Sequence, residues 1–301
     1  MATVAVILNA ASGDGRAEQV GDRLGELFAA AGRPLTVTLA HDVPELQRGI
    51  DAAVSSGAAA LVAGGGDGTI NLAAAALIGT DIPLGVLPLG TLNHFAKDLG
   101  LPLDLDEAAA VVLAGFTMKV DVGEVNGTYF LNNSSLGLYP RMVRLRAAHP
   151  ARGWRKWAVA LWAMVKTLER NPKISVAIDT EGSRVVTRTS IVFIGNNEYE
   201  MSGLEAGTRA TLRGGRLAIY LTRGGGRPRL MRLAWRMFTG RAFRSGELEV
   251  ILTDTASISL HHAQASVALD GEVVVLTTPL TYRIRPAALR VLVPGPVTAA
   301  S

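Results

Sequence analysis

The 301-residue chain contains no cysteine, which excludes disulfides and thiolate metal sites and is compatible with a reducing compartment. Its five histidines, at 41, 94, 149, 261 and 262, show no metal-ligand spacing, and the adjacent His261 and His262 would face opposite ways on a strand. No apolar run approaches the roughly 18–20 residues that span a bilayer. The N-terminus, Met1-Ala2-Thr3-Val4, enters a strand directly and lacks the charged n-region of a signal peptide. A soluble, cytoplasmic protein is expected. Two common nucleotide fingerprints are also missing. There is no Gly-x-x-x-x-Gly-Lys-Ser/Thr, and Gly13-Asp14-Gly15 lacks the third glycine of a dinucleotide site.

What is present is apolar and unevenly charged. Hydrophobic residues make up 49%, ample for real cores. The net charge of +4 hides a division: residues 1–125 carry 6 Lys/Arg against 15 Asp/Glu, and residues 126–301 carry 24 against 11. Such asymmetry favours two units with different partners, any polyanion meeting the basic half.

The first part alternates strand and helix. Strands are expected at Val4–Asn9, Leu35–Leu39, Leu61–Ala63 and Pro83–Leu87. Helices are expected near 15–31, 43–56, 72–78 and 92–99. Near-continuous apolar strands alternating with helices indicate a doubly wound parallel sheet covered on both faces. After Val120 the rhythm changes. Asn126-Gly127 signals a hairpin, a helical region follows at about 141–170, and many short strands lie between Ile174 and Leu276. The expected architecture is an α/β N-terminal domain over 1–124 and a β-rich sandwich or barrel-like domain with helical insertions over 125–286. Residues 287–301 form a C-terminal segment that could return to the first domain. Asn132-Asn133-Ser134-Ser135-Leu136-Gly137 reads as a loop, one that could line a ligand entrance.

The run Leu61-Val-Ala-Gly64-Gly65-Gly66-Asp67-Gly68-Thr69-Ile-Asn71 is the most informative stretch. Glycines at successive positions imply φ > 0 or close approach of a ligand. A strand–glycine turn–helix unit aims backbone N–H groups and a helix N-terminus at one point, which suits phosphate. Asp67 would repel that phosphate unless a metal, a proton or an acceptor hydroxyl lies between, so phosphoryl transfer is favoured over nucleotide storage. A purely structural turn is the competing explanation. Against it, Asn9-Ala-Ala-Ser12-Gly13 ends the first strand and Gly90-Thr91-Leu92-Asn93 ends the fourth. Three small polar loops thus share the carboxyl edge of one parallel sheet, where open α/β sheets bind ligands.

Three ordered motifs carry a resemblance. Gly65-Gly66-Asp67-Gly68-Thr69-x-Asn71, Pro88-Leu-Gly-Thr91-Leu-Asn93-His-Phe-Ala and Ala268-Leu-Asp270-Gly271-Glu272 together resemble the diacylglycerol kinase catalytic-domain family, which includes sphingosine and ceramide kinases. The Gly-Gly-Asp-Gly turn alone is shared with NAD kinases and phosphofructokinases. The resemblance implies ATP bound between an α/β and a β-rich domain, with Mg²⁺ and a lipid hydroxyl as acceptor. By position, Gly65, Gly66, Asp67, Gly68, Thr69, Asn71 and Thr91 would hold the nucleotide, with Asn9 and Ser12 nearby. Glu272 matches the family's proton acceptor, and an attacking alcohol does need its proton taken. Asp67 and Asp270 are the competing or assisting carboxylates. A hairpin turn with solvated acids is the plain alternative for Asp270-Gly271-Glu272.

The chain departs from the family in places. His94 stands where relatives usually carry Asp, and Leu39-Ala40-His41 offers no match for a threonine after strand two. At 212–218, Leu-Arg-Gly-Gly-Arg-Leu-Ala replaces the Asp-Gly-x-Leu-Asp pattern that holds a structural Mg²⁺ in many relatives, so no metal ligand is assigned.

Residues 141–173 hold 9 Lys/Arg and only Glu169, interleaved with Trp154, Trp157 and Trp162. Residues 223–244 hold 7 Arg and no acid, with Met231, Trp235 and Phe238. Arginines with interfacial aromatics suit an anionic bilayer surface, implying a peripheral protein transiently at the inner membrane. The alternative is core tryptophans beside solvated arginines. Nucleic acid is not expected, because no recognised motif accompanies the charge. Rival functions are a soluble-metabolite kinase of NAD-kinase type and a non-catalytic nucleotide-responsive membrane binder. The particular lipid is not readable, and a homodimer is left open.

Overall fold

The computed structural model describes residues 3–12, 16–147, 173–200, 208–209, 211–222 and 248–295. The chain divides into two units, Met1–Asp121 with Pro286–Ser301, and Val122–Arg285. Two strands are shared by the division: β5 (Thr117–Val125) and β16 (Leu280–Leu292).

The first unit is a parallel sheet in the order β2 (Leu35–Ala40), β1 (Val4–Asn9), β3 (Ala60–Gly65), β4 (Leu84–Pro88), then the end of β16 through Val291 opposite Leu84. Alternation of side chains along β1 explains how both faces are filled. Val4, Val6 and Leu8 join a core with Leu24 and Phe28 of α1 (Ala17–Ala30) and Ala108, Ala109 and Val112 of α5 (Leu105–Ala114). Ile7 points the other way, and a Cβ on Gly49 of α2 (Val43–Ser55) would sit 2.9 Å from its Cδ1. Helix α2 packs against α3 (Asp67–Leu77).

Local chemistry starts these helices. Asp42 caps α2 by accepting from Glu45 N–H at 2.7 Å, while Glu45 accepts from His41 N–H at 2.8 Å, a reciprocal N-terminal clasp. Asp104 caps α5 in the same way, accepting from the N–H groups of Asp106 and Glu107.

The second unit is an antiparallel sandwich. One sheet runs β12 (Leu248–Thr253), β11 (Leu217–Thr222), β10 (Ile191–Asn196), β7 (Asn133–Gly137), β14 (Gln264–Leu269), β15 (Glu272–Thr277). The other contains β9 (Ser183–Thr189), β8 (Ile174–Thr180), β13 (Thr255–Leu260) and the first half of β16, with β5 and β6 (Thr128–Phe130) alongside. Between them lies a core that includes Phe130, Leu136, Val192, Ile194, Ile219, Ile258, Val267 and Tyr282. Helix α6 (Leu138–Ala147) packs on β7, β14 and β15.

Several expectations change. Helix α3 begins at Asp67, five residues before Leu72, so the Asp-Gly-Thr triplet is its first turn and not a loop. Asn133–Gly137 is a central strand with Ser134 and Ser135 buried, contrary to the loop read from its polar composition. His261 and His262 follow the end of β13, and their rings meet edge to face at 5.6 Å. The short helix α4 (His94–Asp98) completes the described elements. Among the described residues no helix is long and apolar enough to cross a membrane. Residues 148–172 of the 141–173 segment and the whole of 223–244 lie outside the described residues.

Candidate active site

In the first unit three strand ends converge through register. Leu8 of β1 stands opposite Gly64 of β3, and Gly65 stands opposite Pro88 of β4. The loops leaving these strands therefore emerge side by side at the carboxyl edge. Asn9 Nδ2 donates to Thr69 Oγ1 at 3.0 Å, while Asn9 Oδ1 accepts from Ala11 N–H. Ser12 N–H donates to the Asn9 carbonyl and rounds the turn.

The glycines serve space, not left-handed backbone. None of Gly64, Gly65, Gly66 or Gly68 has a positive φ, which corrects the first expectation. A Cβ on Gly64 would lie 2.3 Å from Leu8 Cδ2, and one on Gly65 would lie 2.5 Å from Thr69 Oγ1. A Cβ on Gly90 would come within 2.6 Å of Gly66 Cα, so two loop backbones touch at that point. Gly66 itself is the N-cap of α3, and a Cβ there would meet nothing nearer than 3.9 Å. The open side of Gly66 is therefore the direction from which a ligand can approach the α3 N-terminus.

Two oxygens at this end of α3 lack partners. Asp67 Oδ1 and Asn71 Oδ1 are buried and accept no hydrogen bond. Four residues apart, they occupy the same helix face. Buried acceptors without donors are costly, so a ligand that satisfies them is the physical expectation at this spot. Thr91 is exposed on the neighbouring loop.

In the second unit, Asp270 and Gly271 are the two central residues of the β14–β15 hairpin, with φ of 47° and 89°. This is a type I′ turn, the form that Asp-Gly favours. The Asp270 carboxylate does not face solvent. It accepts from the N–H groups of Leu131 at 2.7 Å, Asn132 at 2.8 Å and Asn133 at 2.9 Å, and Asp270 N–H donates to the Asn133 carbonyl. Burial pushes its carboxyl above the ordinary value, while these N–H groups and the Arg209 charge pull the other way. Glu272, first residue of β15, is exposed.

The family "Diacylglycerol kinase catalytic domain" matches residues 3–125, and "YegS C-terminal NAD kinase beta sandwich-like domain" matches 143–293. A Mycobacterium tuberculosis protein named diacylglycerol kinase is 31% identical over 267 residues, covering 85% of this chain and 82% of that one. The chain belongs to the diacylglycerol kinase catalytic-domain family. It is accordingly a phosphotransferase of the lipid-kinase family. The Escherichia fergusonii protein named Probable lipid kinase YegS is 39% identical over 142 residues, 46% of each chain. A crystal structure of a diacylglycerol kinase from Bacillus anthracis str. Sterne shares the fold, with TM-score 0.72 and 19% identity over 97% of both chains.

Family membership brings ATP and a divalent cation into consideration. The unpartnered oxygens of Asp67 and Asn71 fit a hard cation, which takes few protein oxygens and completes its shell with phosphate and water. The 212–218 segment does not fit one. Ala218 is fully buried in β11 without a donor, and a Cβ on Gly214 would lie 2.7 Å from Asn197 Oδ1. Among the described residues no cluster of three His, Asp or Glu could hold an ion.

Two residues of this lipid-kinase fold were given no site role from sequence. Asn93 adopts φ 50° and staples its own loop: Nδ2 donates to the carbonyls of Pro88 and Gly90, and Oδ1 accepts from Gly90 N–H. Its place inside the second motif was the available signal. Arg209, 7% exposed, donates to Leu131 O at 2.6 Å, Asn196 O at 3.1 Å and Asn132 Oδ1 at 2.9 Å. Nothing in its sequence neighbourhood pointed to burial.

Proposed function

We propose that this chain transfers the γ-phosphoryl group of ATP, with Mg²⁺, to the hydroxyl of a lipid of diacylglycerol or sphingoid type. The observation that carries the reading is the pair of buried, partnerless oxygens on Asp67 and Asn71, at a helix N-terminus left open by Gly66. When bound, the cation neutralises phosphate charge as the phosphoryl group moves. Gly65, Gly66, Gly68 and the α3 N–H groups receive the phosphates, Thr69 and Asn9 hold that turn in place, and Ser12 and Thr91 border it.

Glu272 accepts the proton of the attacking hydroxyl, its exposed carboxylate being free to meet a substrate. Asp270 serves that step by fixing the hairpin on which Glu272 stands. The lipid is presented at an anionic membrane surface by the basic, tryptophan-bearing segments 141–173 and 223–244, and the protein works from the cytoplasm without engaging nucleic acid.

The test is transfer of label from γ-labelled ATP, with Mg²⁺, into mixed micelles of a total lipid extract. Labelled lipid that vanishes with Glu272→Ala supports the reading and identifies the substrate. Label confined to water-soluble products would favour a metabolite kinase, and ATP binding without any transfer would favour a nucleotide-responsive binder.

A further inference from the structure

The segment Leu131-Asn132-Asn133 is gripped from two sides. Asp270 takes all three of its N–H groups. The carbonyl side is held by different residues: Arg209 Nη1 and Asn196 Nδ2 both donate to Leu131 O, at 2.6 and 2.8 Å. Asn196 N–H and the Tyr199 hydroxyl donate to Asn132 O, and Arg209 Nη2 donates to Asn132 Oδ1. Arg209 also lies over the Tyr199 ring, with Cζ 5.9 Å from its centroid. One peptide group, the Leu131 carbonyl with the Asn132 N–H, thus lies between the Arg209 guanidinium and the Asp270 carboxylate. That peptide dipole is aligned with both charges, so loss of either charge leaves the other poorly compensated.

We propose that Arg209 is a positioning residue for Glu272, acting through the 131–133 segment and Asp270. This rests on the reading that Glu272 accepts the substrate proton. The chain of contacts is short: Arg209 to Leu131 and Asn132, those residues to Asp270, and Asp270 across Gly271 to Glu272. A lysine in place of Arg209 keeps the charge but lacks the planar fork that reaches Leu131 O, Asn196 O and Asn132 Oδ1 together. The hairpin then rocks, and displacement of a catalytic group by about 1 Å costs on the order of 10²-fold in rate.

The arrangement also supplies an internal cation where the neighbouring 212–218 loop offers no metal ligand. That loop is instead tied by Asn197: its N–H donates to Arg216 O at 3.0 Å, and its Oδ1 accepts from Arg216 N–H at 3.4 Å. Organisation of this region therefore needs no bound metal.

The experiment compares the full-length protein with Arg209→Lys, Asn132→Ala and Glu272→Ala, using γ-labelled ATP and lipid micelles. Arg209→Lys is expected to lower kcat about 10–100-fold with KM for ATP unchanged, and to shift the acid limb of the pH–rate profile. Asn132→Ala, which removes only the Nη2 acceptor, should reproduce the same split more weakly, and it carries the test if the lysine variant does not fold. The proposal is overturned if activity falls only in proportion to the folded fraction with an unmoved pH profile. It is equally overturned if both variants keep full kcat. Glu272→Ala separates the two readings: full turnover in that variant removes the base itself, whereas loss of turnover there with none in Arg209→Lys removes only the positioning role.

Discussion

Asn9 Nδ2 donates to Thr69 Oγ1 at 3.0 Å across 60 residues of chain, tying the loop after β1 to the first turn of α3. Thr69 is buried, so the bond is shielded from competing water. Thr69→Val keeps the shape and removes the acceptor, leaving an amide donor unmatched. Such a loss costs about 1–3 kcal/mol. We expect weaker ATP binding with a small drop in melting temperature, measured by titration calorimetry and thermal unfolding. Unchanged affinity would show that the loop position does not matter to the nucleotide.

Gly66 and Gly90 should separate packing from ligand approach. An alanine at 90 would force its Cβ to within 2.6 Å of Gly66 Cα and 2.8 Å of Asn93 Oδ1. Overpacking of this kind costs about 1–3 kcal/mol, so Gly90→Ala is expected to melt several degrees lower. Gly66→Ala meets nothing within 3.9 Å at a φ of −85°, and should fold as the parent does. Its methyl group stands where phosphate would approach, so nucleotide affinity should fall at least about tenfold. Normal ATP binding by Gly66→Ala would move the phosphate site elsewhere.

The first unit was legible because its signals are local. Apolar runs such as Leu61–Ala63 alternate with helical stretches, and the small loops fall at one sheet edge by the logic of parallel strands. The N-terminus of α3 was misread, since Gly-Asp-Gly looks like a turn whereas Gly66 is a cap and the helix starts at once. The strand Asn133–Gly137 was invisible for a different reason. Two of its polar residues are held by partners distant in sequence, Ser134 by Tyr282 and the Asn133 main chain by Asp270. Asp270 and Glu272 were both candidate carboxylates in sequence, yet three main-chain donors occupy one while the other stays exposed. Tertiary contacts decide such cases, and no local pattern encodes them.

Tyr220 gives the sandwich an alkaline signature. Burial pushes its phenol up to about 12, with the hydroxyl accepting from Tyr199 N–H at 2.9 Å. The folded value lies above the unfolded value of about 10, so the stabilisation is fully present below pH 10 and is lost as pH rises toward 12. Melting temperature should therefore fall steeply between about pH 10 and 12. Tyr220→Phe should lower stability at pH 8 by removing the acceptor, and should flatten that alkaline slope. A mutant with the parent's slope would assign it to other groups, Tyr282 first, whose phenol burial also raises.

Asp67 decides between holding the nucleotide and serving the reaction. Its Oδ1 is buried and unpartnered at the first position of α3, where the helix dipole favours a negative charge. Asp67→Asn preserves shape and keeps one oxygen but removes the charge that attracts a cation. If the carboxylate positions Mg²⁺ against the phosphates, the variant should bind ATP without metal about as well as the parent, yet lose the gain in affinity that Mg²⁺ confers. Turnover should drop at least about 10²-fold, in the range for removing one electrostatic contributor. Asn71→Ala, which removes the second unpartnered oxygen and no charge, should weaken ATP binding more than it lowers kcat. Parallel titrations with and without Mg²⁺ read both variants, and an Asp67→Asn protein that still gains affinity from Mg²⁺ would place the cation on phosphate oxygens alone.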